Sequence, residues 1–142
     1  MVFKINISEK SGKTYKLESE AEYFIDKELH DKLEGKEISP DLEGYELEIT
    51  GASDLAGFTI MKDVPGIGLK KVLLGYGKGM KKRPKRELKK TRSNYKPKGL
   101  RLRKTVRGRV ISPAIVQINL KVVKEGKKPL ATIFATKESV AE

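Results

Sequence analysis

The side chains in this sequence best able to do chemistry are cations, and their spacing favours gripping phosphate over breaking bonds. Between Lys78 and Arg109 stand 16 Lys and Arg residues against one acid, Glu87. That is about half of the 31 basic residues in a chain of 142. Arg guanidinium groups pair bidentately with phosphate oxygens, and Lys adds point charge. A stretch this cationic repels itself and holds too few apolar residues to fold alone. It needs a polyanion, and nucleic acid fits best.

The expected phosphate contacts within the run are Lys78, Lys81, Lys82, Arg83, Lys85, Arg86, Lys89, Lys90 and Arg92, followed by Lys96, Lys98, Arg101, Arg103, Lys104, Arg107 and Arg109. Lys62, Lys70 and Lys71 precede the run and extend its field. Tyr95 inside it and Tyr76 beside it could stack on bases or riboses, or serve as packing contacts. Pro84, Pro97 and the glycines rule out one long helix, so neither a membrane-binding amphipathic helix nor a groove-reading helix is expected. An irregular cationic segment suits folded RNA better than duplex DNA.

Other chemistries fare poorly. With no Cys there is no disulfide, thiolate zinc site or Cys nucleophile. His30 is the sole histidine, so no His-based metal spacing exists, and it reads as a surface or packing residue. The acids of residues 18–48 are spread as on a solvated face rather than paired for acid–base work. Gly75-Tyr76-Gly77-Lys78-Gly79 lacks phosphate-loop spacing and a following helix. No enzyme, cofactor, metal or small-molecule substrate is expected. The Val64-Pro65-Gly66-Ile67-Gly68-Leu69-Lys70-Lys71 stretch resembles the hairpin of helix-hairpin-helix DNA-binding modules, whose backbone N–H groups hold a phosphate. That alternative, a DNA-binding or chromatin-type protein, requires a helix before Pro65. Gly57 and the β-branched Thr59 and Ile60 disfavour one.

The elements that must position the run are mostly strands. VFKINI (2–7) alternates as a half-buried strand, turns at Gly12, and resumes over Thr14–Leu17 as a hairpin. Ser19 with Glu22 three residues on predicts a helix start, running at most to Leu33. YELEIT (45–50) is a second alternating strand, with 51–57 as a turn. A short apolar run at 72–74 and segments 106–111 and 115–123 complete the set. The expected fold is mainly β: a small barrel of about six short strands, one or two short helices and a long basic internal loop. It is one domain, with a barrel from 1–77 and 105–133, a basic RNA-binding insertion over 78–104, and a short tail over 134–142. Residues 1–61 carry 7 basic and 14 acidic residues, while 62–142 carry 24 and 5. The acidic half should therefore face away from the polyanion. No apolar span or signal core is present, and a cytosolic protein is expected.

Four stretches carry a family resemblance. They are Gly12-Lys13-Thr14-Tyr15; Gly44-Tyr45-Glu46-Leu47-Glu48-Ile49-Thr50-Gly51 leading to Asp54 and Gly57-Phe58; Arg103-Lys104-Thr105-Val106-Arg107-Gly108; and Ile115–Val123. Together they resemble small-subunit ribosomal protein S six of the eukaryotic type, in its archaeal form. Ala52 replaces a signature glycine, and Thr59-Ile60 replace a Pro-Met pair. The resemblance implies a β-barrel bound to small-subunit ribosomal RNA beside neighbouring ribosomal proteins, with a structural role in translation. The long C-terminal helix of eukaryotic members, with its phosphorylated serines, is missing from this sequence.

Overall fold

The computed structural model describes residues 2–20, 22–80 and 97–138. Strands β1 (Phe3–Ser8) and β2 (Thr14–Ser19) form the expected antiparallel hairpin. Alternation in β1 buries Phe3, Ile5 and Ile7 and leaves Lys4 exposed. Gly12 turns the hairpin at φ 91°, a conformation that glycine adopts without steric cost.

The helix expected from Ser19 towards Leu33 does not form. Ser19 ends β2, a single 3-10 turn covers Glu22–Phe24, and Lys32–Glu34 is strand β3. Asp26 and His30 sit at φ 66° and 77°, which breaks any helix. Segment 26–29 gives its backbone groups to 109–111 instead. Asp26 N–H donates to the Ile111 carbonyl at 3.1 Å, Ile111 N–H to Lys27 at 2.8 Å, and Leu29 N–H to Arg109 at 3.1 Å. Tertiary pairing thus outcompetes a local capping signal. A one-turn helix α1 (Gly35–Ile38) and a 3-10 turn at Pro40–Leu42 lead to β4 (Glu46–Asp54), which continues through the predicted turn at 51. Strands β5 (Leu69–Leu74), β6 (Leu102–Arg107) and β7 (Ile115–Lys124) follow, then helix α2 (Leu130–Glu138). The strand expected at 106–111 is thus displaced towards the N-terminus, because 109–111 leave it to pair with 26–29.

The protein is mainly β, but among the described residues its strands do not close into the expected barrel. Five form a mixed sheet in the order β2-β1-β7-β4-β3, with β1 and β7 parallel; β5 and β6 form a separate antiparallel ribbon. Strand β2 stays an edge because none of its residues is buried and Lys16 and Glu18 face solvent. Register shifts in β4 at Glu46/Leu47, Ile49/Gly51 and Ser53/Asp54 mark bulges or irregularities in its ladder with β7, the kind of feature that bends a strand. Among the described residues single bridges then stand at the join: Ser53 with Thr59, Ile60 with Arg107, and Glu28 with Val110.

Two unequal apolar clusters result. Under the sheet, Ile5, Ile7, Leu47, Ile49, Ile118 and Leu120 are fully buried. Helix α2 adds Leu130, Ile133 and Phe134, and the Phe134 ring stacks on Tyr15 at 4.9 Å. The Tyr45 hydroxyl donates to the Lys128 carbonyl and fixes the approach to α2. Beneath the ribbon, among the described residues, Val64, Leu74 and Val106 are buried, with Met61, Val72 and Met80 packed beside them. At about 1.5–3 kcal/mol per fully buried aliphatic side chain, the ribbon's own core cannot hold it in place alone. Its attachment to the sheet must contribute the rest. Among the described residues no helix is long and apolar enough to cross a membrane.

Candidate nucleic-acid interface

The described cations concentrate on the ribbon. Its register sets Lys71 opposite Thr105 and Leu73 opposite Arg103, so Lys71 and Arg103 share one face. Lys70 and Lys104 lie on the other face, opposite Val106 and Val72. Lys70, Lys71 and Arg103 are exposed, as are Lys62 before the ribbon and Lys98 and Arg101 leading into β6. Leu69 and Leu73, 52% and 53% exposed, stand on the same face as Lys71 and Arg103. The face is therefore mixed cationic and apolar, suited to phosphates with sugars or bases beside them.

Both ends of the cationic run are tied at the ribbon tip. Leu74 pairs with Leu102, and the Tyr76 hydroxyl donates to the Pro97 carbonyl at 2.9 Å across 21 residues. Tyr76 therefore acts at least as a tie between the two stems, with its ring still half exposed. Candidates Lys81, Lys82, Arg83, Lys85, Arg86, Lys89, Lys90, Arg92, Tyr95 and Lys96 lie outside the described residues.

Three predicted phosphate ligands are occupied internally. Arg109 Nε lies 3.1 Å from Glu28 Oε2 in an exposed pair. Lys78 turns back onto the sheet, where its Nζ donates to the Thr50 carbonyl at 2.9 Å and sits over Gly51 near Asn119. Partial burial lowers the Lys78 pKa. Arg107 Nε donates to Asp54 Oδ2 at 2.7 Å, and its Nη1 to the Ile67 carbonyl at 3.3 Å. The Arg107 side chain is 17% exposed and that of Asp54 only 5%.

This last pair joins the two most distinctive motifs in the sequence, 53 positions apart. Asp54 Oδ1 accepts the Phe58 N–H at 2.8 Å, while the Asp54 N–H donates to the Phe58 carbonyl at 3.1 Å. The carboxylate thereby closes the turn after β4, with Gly57 at φ 85°, and reaches across to β6 with its other oxygen. Gly108 follows at once and lies flat against the 66–68 loop. Its N–H donates to the Gly68 carbonyl at 3.0 Å, and any Cβ there would collide with the Gly66 carbonyl. The Asp-x-x-Gly-Phe and Val-Arg-Gly motifs are thus two halves of one seam between sheet and ribbon. Sequence reading placed Arg107 among phosphate ligands and left Asp54 in a turn. An Asp three residues before a Gly-Phe pair is the available sign of a side chain closing its own turn.

Burial alone would push the Asp54 carboxyl up, but the Arg107 hydrogen bond and charge, with the Phe58 and Gly57 N–H groups, hold it below the usual carboxylate range. The stability this contributes is present above the unfolded carboxylate value, about 3.9, and is lost as pH falls through the lower folded value. Thermal unfolding followed by circular dichroism between pH 5 and pH 2.5 should therefore show a smaller acid-induced loss of stability for Asp54→Asn than for the parent. Equal losses would mean Asp54 does not titrate as the seam requires.

The Gly66-Ile67-Gly68 alternative is overturned. No helix precedes Pro65: Thr59 and Ile60 are in bridges with Ser53 and Arg107, and strand β5 follows at Leu69. The Gly66 and Gly68 carbonyls accept from Val110 and Gly108, so the turn seats the β6 exit. His30, the sole histidine, is exposed, with Nδ1 2.9 Å from Glu48 Oε1. Among the described residues no group of three His, Cys, Asp or Glu could hold a metal ion.

The sequence profile of ribosomal protein S6e matches residues 3–135. Small ribosomal subunit protein eS6 of Methanococcus maripaludis strain C6 is 41% identical over 131 residues, spanning 92% of this chain and 94% of that protein. The eS6 of Archaeoglobus fulgidus is 43% identical over 144 aligned positions, covering 97% of this chain and 99% of the relative. That of Nanoarchaeum equitans is 38% identical over 135, covering 94% and 90%. The family profile runs through the hairpin, the seam motifs and β7, the relatives match over most of their length, and on that ground the chain belongs to the ribosomal protein S6e family.

Proposed function

We propose that this chain is a structural, non-enzymatic component of the small ribosomal subunit, working in the cytoplasm, which docks on the subunit's RNA mainly through phosphate contacts and supports assembly and translation. The observation that carries the reading is the double tie at the ribbon tip, Leu74 with Leu102 and Tyr76 with Pro97. It makes the cationic run a loop launched from a fixed base rather than a free tail. The RNA-binding insertion expected over 78–104 overlaps β6, which begins at Leu102, and the tail expected over 134–142 begins inside α2, whose Phe134 packs in the core, so the body resumes at Leu102 and runs through α2. Lys62, Lys70, Lys71, Lys98, Arg101, Arg103 and Lys104 would meet phosphates alongside the cations of 81–96. Such contacts orient the protein and carry little sequence information. Lys78, Arg107 and Arg109 would do so only by leaving the partners they hold. The acidic first half would turn towards solvent or a basic neighbouring ribosomal protein.

Contact mapping in the assembled subunit tests this. Ultraviolet cross-linking followed by peptide identification should place RNA adducts on 62–71 and 97–104 and few on 18–48. Adducts concentrated on 18–48 and missing from the ribbon would overturn it.

A further inference from the structure

Beside the seam is a cavity of about 360 Å³, within the range of small-ligand pockets. Its walls come from the turn that Asp54 closes, from the outgoing stem of the cationic run and from β6. Phe58 and Met80 give it aromatic and apolar lining, and Thr59, whose hydroxyl lies beside Gly79, and Lys104, on the β6 face shared with Val106, are its polar residues, while Thr105 turns its side chain to the opposite face of the strand. Phe58 is half-buried, yet it joins neither of the two apolar clusters described among these residues. Its backbone is fixed at both polar atoms by Asp54. The ring therefore leaves a fixed backbone position and belongs to neither cluster.

We infer that this cavity receives one nucleobase, unstacked from the RNA and laid against Phe58, with Thr59 meeting its polar edge and Lys104 its phosphate. The proposal rests on the RNA-docking reading and goes beyond phosphate contact. Aromatic faces bind unpaired bases because every base has a π-face, and single-stranded loops and bulges are where RNA offers such bases. A protein side chain would suit Phe58 and Met80, but it would sit beside the most cationic part of the molecule, next to Lys104 and the stem leading to Lys81. Charge favours the nucleotide.

The test uses the full chain and archaeal small-subunit ribosomal RNA transcribed with 4-thiouridine and 6-thioguanosine. Base cross-links are expected on the 57–59 and 104–105 peptides. Phe58→Ala should weaken binding about 5- to 150-fold, the range for losing one aromatic–base stack, while leaving the slope of log affinity against log salt unchanged because no phosphate contact is lost. Phe58→Trp should bind at least as well as the parent, and Thr59→Val should lose a few-fold. A melting curve confirms that each variant folds; Phe58→Leu replaces Phe58→Ala if the latter does not. Parental binding to RNA with normal salt dependence, but with Phe58→Ala within twofold and no base cross-links at these peptides, would overturn the pocket alone. A fall in salt slope with Phe58→Ala, or cross-links from the pocket to a neighbouring protein in assembled subunits, would overturn it too. No salt-dependent RNA binding by the parent would overturn the docking reading, and the pocket with it.

Discussion

Truncating Arg107 to alanine is expected to destabilise the protein by about 3–5 kcal/mol, the cost of leaving one partner of a buried ion pair uncompensated. The group left behind is Asp54, 5% exposed and without its Nε–H donor at 2.7 Å. The Phe58 N–H still reaches one of its oxygens, which places the loss towards the lower end of the range. The damage lands where the fold is thinnest, since the ribbon has three buried apolar residues and is bridged to the sheet at Ile60 with Arg107 itself. Urea unfolding monitored by circular dichroism measures the change. Arg107→Lys keeps the charge but loses the fork that serves both Asp54 and the Ile67 carbonyl, so it should recover only part of the loss. Asp54→Ala should cost a similar amount by releasing the turn as well. The double variant should fall well short of the sum, because the two residues act through one contact. A loss below about 1 kcal/mol for Arg107→Ala, the range of exposed ion pairs, would mean the seam is held by backbone bridges alone.

How far the sequence was readable follows from which forces were local. The hairpin, β4 and β7 were legible because alternation of apolar and polar residues is a property of each strand by itself. Ile118, Leu120 and Val122 are core residues for that reason. The Ser19 helix signal failed because 26–29 found partners in 109–111, about eighty positions away, and no local pattern announces such a partner. The barrel failed similarly: closure depends on whether edges meet, and the charged, half-exposed β2 does not bury a face against β3. At the interface, charge was legible and commitment was not. Composition marks Arg107 and Lys78 as cations like their neighbours, but only the fold spends one on Asp54 and the other on Thr50.

That division predicts which cations RNA feels. Binding of the full chain to small-subunit ribosomal RNA should weaken by roughly 10³–10⁵-fold between about 50 and 200 mM salt, as for six to ten neutralised phosphates at about 0.7–0.9 per contact in the log–log slope. Six exposed cations, Lys62, Lys70, Lys71, Lys98, Arg101 and Arg103, are free to contribute from the described part of the molecule before the run itself is counted. Removing one that faces solvent, as in Lys71→Ala or Arg103→Ala, should lower the slope by close to one contact's share and weaken binding to all RNA sequences alike. Lys78→Ala should barely change the slope, because its ammonium is already held by the Thr50 carbonyl and would have to be withdrawn from it to meet a phosphate. Filter-binding or fluorescence-anisotropy titrations at four or five salt concentrations give each slope directly. A flat response in the parent would remove phosphate contact as the basis of docking. Equal losses of slope for Lys78→Ala and Lys71→Ala would mean that RNA draws Lys78 off the sheet, making that contact with Thr50 a resting position that binding releases.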